Sequence, residues 1–115
     1  MAWLVHDGRV LASAEVAADR AQRRRGLIGR DVVDCAMVLR PCRQVHTFGM
    51  RIPVDVVWCD NGGRVLRVAT VRPARVTRVV LRAHFIVEAD AGAAARWGLR
   101  VGDVLEVEGE VDGGG

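Results

Sequence analysis

The chain contains no lysine and no tyrosine, has only two phenylalanines, and carries three cysteines that form no CxxC pair. An odd, scattered set of thiols excludes a disulfide framework and leaves a reducing compartment as the simpler expectation. With so few aromatic rings, aliphatic packing has to build the core. The abundance of valine therefore favours strands. No apolar run approaches the roughly 20 residues of a membrane span. The opening MAWLVHDGRV meets charge by residue 7, too soon for the apolar centre of a signal peptide. A soluble, cytoplasmic protein with no membrane association is the expectation.

What is present is enough for one folded unit. The 115 residues are half hydrophobic, sufficient for a real core and too apolar for a disordered chain. No internal repeat, linker or composition break divides them. One domain is expected over residues 1–110, with a flexible glycine-rich tail at 111–115. All seventeen basic residues are arginine and the net charge is +3. Such usage reflects genome composition more often than function. Its distribution says more: Arg20, Arg23, Arg24, Arg25 and Arg30 crowd one segment, whereas Asp103, Glu106, Glu108, Glu110 and Asp112 close the chain.

Punctuation along the chain places the elements. HDG joins strands at 2–5 and 9–16 as a hairpin turn. In ADRAQRRRGLIGR, Asp19 can cap a short helix and Gly26 can end it. AMVL at 36–39 is an apolar run stopped by Pro41. Pro53 opens a strand at 54–60, and NGG turns it into RVLRVATVR, whose period of two marks a half-buried strand. Residues 74–83 could hold a short strand. Further strands are expected at 84–90 and 104–107, separated by a short helix in AGAAARWG. Asp103, in a Gly-Asp turn, is structural. The sum is a mainly β (α+β) fold, a compact barrel-like or sandwich-like sheet of about seven strands with two short helices.

The pieces RRRGLIGR, VHTFGMRIPVDVVWCD, FIVEADAG and GLRVGDVLEV, in this order, resemble the domain of unknown function 192 family, also called uncharacterised protein family 0127. The resemblance spans roughly residues 10–108. It implies a compact, mostly β domain with short helices and names no activity. The matching positions are Arg23, Gly26, Leu27 and Arg30, then Pro53 and Asp55, then Glu88 and Gly92. A better-known form of the family carries tryptophan where this chain has His46, so any role for that imidazole is confined to a histidine-bearing branch.

Chemistry concentrates in CRQVHTFGMRIPVD at 42–55. Asp55 stands on an apolar strand, where an unpaired carboxylate would cost several kcal/mol, so Arg23 or Arg30 is the expected counter-ion. Glu88, before AGAAARWG, is expected to cap that helix. The leading reading is a non-catalytic or accessory binding module, its pocket rimmed by Arg23, Arg30, His46 and Asp55 and taking a small anion or a carboxylate of a partner protein. One alternative is an enzyme using His46 and Asp55 as an acid–base pair, with Cys42 or Thr47 as the nucleophile in a covalent version. A second is a soft-metal site at Cys42, His46 and Met50, with Cys59 and His84 as a zinc variant. No cofactor is expected. Nucleic acid is disfavoured because no set of exposed aromatics accompanies RRRG.

Overall fold

The computed structural model describes residues 2–17 and 35–109. Seven strands, β1 (Ala2–His6), β2 (Arg9–Ala17), β3 (Ala36–Leu39), β4 (Val54–Cys59), β5 (Val65–Val71), β6 (Phe85–Asp90) and β7 (Glu106–Gly109), form a single sheet in the order β5-β4-β6-β3-β2-β1-β7. Only β2 and β3 run parallel. A single helix, α1 (Ala93–Arg96), occurs among the described residues; the helix expected around Asp19 and Gly26 lies outside them.

Local chemistry accounts for the joints. Asp7 and Gly8 adopt φ of 50° and 74°, the paired left-handed conformation whose twist suits a two-residue hairpin. At the β4–β5 turn the Asp60 carboxylate accepts from the amides of Gly62 and Arg64 at 3.0 and 2.9 Å. In the Gly-Asp turn before β7, Asp103 accepts from the Arg100 amide at 2.8 Å, the structural role expected of it.

The central strands β3, β4 and β6 are buried on both faces. Alternate residues of β4 divide between two apolar clusters: Val57 and Cys59 pack with Phe85, Val87 and Ala94, whereas Val54, Val56 and Trp58 pack with Met37, Leu39, Ile86 and Met50. Every residue of β4 is buried, as a central strand covered on two sides requires. Loops and a one-turn helix supply the cover, and no second sheet is needed.

This corrects the barrel-like or sandwich-like expectation, because the strand order leaves β5 and β7 as edges. The edges meet at one end only. Val65 donates to Asp103 O, Gly102 to Val65 O, and Leu105 to Gly63 O, each at 2.8 Å. Residues 74–83 contain no strand, only a bridge from Val76 to His46. The last strand begins at Glu106 rather than 104, since Val104 is occupied by its bridge to Arg64.

Gly63 sits where the two edges touch. It has φ of 88°, and a Cβ there would penetrate the Leu105 carbonyl oxygen. Gly8 has φ of 74° with open space around it. Gly8→Ala should therefore cost roughly 1–2 kcal/mol, the ordinary penalty of a left-handed residue, and Gly63→Ala should cost clearly more because backbone must also move. Urea unfolding of the two variants measures the difference.

Candidate functional site

The stretch from Cys42 to Met50 is a clamp for the chain between Arg72 and Val80. Thr47, fully buried, lies at its centre. Its amide donates to Arg75 O at 2.8 Å, its hydroxyl donates to Arg72 O at 2.6 Å and accepts from the Arg75 amide at 2.8 Å, and its carbonyl accepts from the Ala74 amide at 3.0 Å. One turn along, the Val45 amide donates to the Thr77 hydroxyl, and the Thr77 amide donates to Val45 O, both at 3.0 Å. Trp58 anchors the clamp to the sheet, its indole N–H donating to Arg43 O at 3.0 Å.

Held in this way, residues 72–78 stand beside β5 and enclose a concavity of about 460 Å³. Its lining includes Ala69, Thr70, Val71, Val76 and Thr77, together with Arg67, Arg72, Arg75 and Arg78, and contains no acidic residue. The Arg67 guanidinium lies over the Trp58 ring at 5.7 Å, a favourable cation–π placement. Its Nε is buried and has no hydrogen-bond partner. Arg72, Arg75 and Arg78 are exposed. Such a surface is fitted to receive negative charge, since planar guanidinium groups offer paired donors to carboxylate or phosphate oxygens.

The residues singled out in the sequence are distributed unevenly around this feature. Arg23 and Arg30 lie outside the described residues. His46 is exposed, tilted against Phe48 with ring centroids 5.5 Å apart, and touches the site through its bridge to Val76. Asp55 is buried at 3 % exposure. Its carboxylate accepts from the Thr70 hydroxyl at 2.7 Å and from the amides of Gly92 and Ala94 at 3.1 and 3.0 Å. Neutral donors thus do the work for which a guanidinium was expected. No hydrogen bond joins His46 to Asp55, the contact an acid–base pair would need.

Glu88 does not cap α1. On β6 it alternates with Val87 and Ala89, so it faces the side of Val56 and Met37, its neighbours in register on β4 and β3. The helix lies on the other side, where Ala94 packs with Val57 and Val87, and there Asp55 receives its first amides. Burial pushes the Glu88 carboxyl from its ordinary 4.5 up to about 7.

The soft-metal alternative is divided by environment, with Met50 buried in the apolar cluster, His46 exposed, and the Cys42 thiol donating to Gln44 O at 3.2 Å. Among the described residues no group of three His, Cys, Asp or Glu side chains could hold a metal ion. Cys59 is buried, and burial pushes its thiol up to about 12, so it is no nucleophile.

Against known proteins, the model of the DUF192 family, described as an uncharacterised ACR, matches residues 2–107. The chain belongs to the DUF192 family. No curated protein sequence matches it. Two solved structures share the DUF192 fold seen here. A protein of unknown function from Novosphingobium aromaticivorans aligns with TM-score 0.76 and 21 % identity, covering 91 % of this chain and 82 % of its own. A candidate transcription regulator from Sinorhizobium meliloti aligns with TM-score 0.75 and 23 % identity, covering 92 % and 91 %.

Asp55 and Glu88, the acids buried among the described residues of this DUF192 domain, should respond oppositely to neutralisation. Asp55→Ala orphans three donors and should lose on the order of 3 kcal/mol. Glu88 in the folded protein holds its proton more tightly than in the unfolded chain, so its burden is absent below about pH 4.5 and grows as the pH rises through 7. Glu88→Gln should flatten that decline and stabilise the protein at pH 8 by on the order of 3 kcal/mol. Denaturant unfolding of wild type and variant from pH 4 to 8 reads both the slope and its sign.

Proposed function

We propose that this DUF192 domain is a non-catalytic binding module whose arginine-lined concavity takes an anionic group, either a small anion or a carboxylate on a partner protein. The observation that carries this reading is Arg67. Its guanidinium lies over the Trp58 ring at 5.7 Å, a cation–π contact that limits its freedom before any anion arrives, and it shares the lining with Arg72, Arg75 and Arg78 and with no acid. Arg72, Arg75 and Arg78 add positive potential at the opening.

In this reading the expected site residues act at different distances. His46 supports the wall through Val76, and Asp55 supports it through Thr70 on the lining. Arg23 and Arg30 belong to the proposal as further guanidinium donors. The candidate regulator from Sinorhizobium meliloti raises nucleic-acid phosphate as the anion. The lining favours a discrete anion instead, because its single aromatic, Trp58, is buried and offers no face to a base.

Calorimetric titration with inorganic phosphate at low ionic strength tests the reading. Saturable binding is expected, weakened about tenfold or more by Arg67→Met, which keeps the stem on the indole and removes the donors. Arg23→Ala should weaken it with little change in Tm. No binding by wild type, or equal binding by Arg67→Met, would overturn the proposal.

A further inference from the structure

The concavity is bounded by main chain as well as by arginine. Among the described residues β5 is an edge strand, and from Leu66 to Val71 its ladder is with β4 alone. The ties on its outer side stop at Val65. Across the concavity, the segment at 75–78 uses one side for its pairing with 45–47. Thr47 N bonds Arg75 O and Thr77 N bonds Val45 O, so His46 and Val76 are the non-hydrogen-bonded pair of that ladder, and the amide and carbonyl of Val76 point away from it. Residues 69–72 and 75–78 both line the concavity. It is a slot between two stretches of extended chain.

We infer that this slot receives an extended acidic segment of a partner protein, which adds to the free edge of β5 and places aspartate or glutamate at every second position toward the arginines. The inference rests on the anion-binding reading and specifies its ligand. Charge complementarity selects the occupant. The lining holds Arg67, Arg72, Arg75 and Arg78 and no acid, within a stretch from residue 61 to 87 that carries no acid at all. Strand geometry selects the form. Arg67, Ala69 and Val71 alternate onto the Trp58 side of β5, so a paired strand would meet donors and aliphatic surface with the same period of two. Edge addition draws affinity from main-chain bonds and specificity from pockets for alternate side chains. A nucleic-acid strand would find no exposed ring in the lining itself, whose one aromatic, Trp58, is buried.

The test uses the whole domain and fluorescence anisotropy of a labelled, end-blocked peptide, Val-Glu-Val-Asp-Val-Glu. Saturable binding is expected, weakened about tenfold or more by Arg67→Met. Replacing the acids by their amides should weaken it similarly. Two forms of the peptide, N-methylated at alternate amides in either phase, separate strand addition from simple attraction, because one phase must lose binding and the other must keep it. Equal binding of both phases would overturn the inference and leave the anion reading standing, as would phosphate binding without peptide binding. Binding of an oligothymidylate with no binding of the peptide would overturn it in favour of nucleic acid. If wild type ignores the peptide and Arg67→Met self-associates, the arginines guard the edge against pairing, and the inference falls.

Discussion

The candidate site depends on the buried hydroxyl and main chain of Thr47. A loop of seven residues from Arg72 to Arg78, with one proline and three arginines, has no apolar face to press against the sheet. It stands beside β5 because Thr47 satisfies its backbone at Arg72, Ala74 and Arg75. Without those bonds a buried hydroxyl and several peptide groups would be left unsatisfied, each at a cost comparable to a lost hydrogen bond. The concavity is thus a product of backbone satisfaction. Its charge is added by the exposed side chains of Arg72, Arg75 and Arg78, of which Arg75 also donates to the Pro73 and Ala74 carbonyls.

Asp55 plays the matching part on the opposite face of β4. Its carboxylate gathers the first amides of α1 and the hydroxyl of Thr70, fixing helix, central strand and edge strand to one another. The two polar centres divide the labour: Thr47 shapes the slot, and Asp55 sets the strand that forms its floor. Both are polar residues in apolar surroundings, and both are silent about ligand chemistry because their bonding capacity is consumed within the fold.

Much of the fold was legible from punctuation. HDG and NGG each impose backbone conformations that only a few residues tolerate, so both hairpins and the strands they join stand out. AMVL was harder, because a four-residue apolar run has no periodicity and a parallel partner leaves no nearby turn. The choice between barrel, sandwich and open sheet turned on which loops cover the faces, and alternation carries no information on that. At the site, the side-chain inventory pointed to Asp55 correctly as a buried acid, yet its partners are mostly backbone amides, which no inventory of side chains reveals. Arg67, Arg72, Arg75 and Arg78 were passed over because they fit the alternation of a half-buried strand and a solvated loop. The available signal was the absence of any acid from 61 to 87, an unbalanced stretch that an ordinary solvated surface has no reason to keep.

The tie between the two sheet edges has a bearing on how the domain comes apart. In a fully open sheet the outermost strand can fray and re-form while its neighbours stay in place. Here the start of β5 is held to the chain just before β7, so loosening either border pulls on the other, six strands away in the hydrogen-bonded order. Local opening is thereby linked to global unfolding at that end. Amide exchange at Val65 and Leu105 would share one opening event, while the flank of β5 from Leu66 onward, unpaired among the described residues, keeps a freedom of its own.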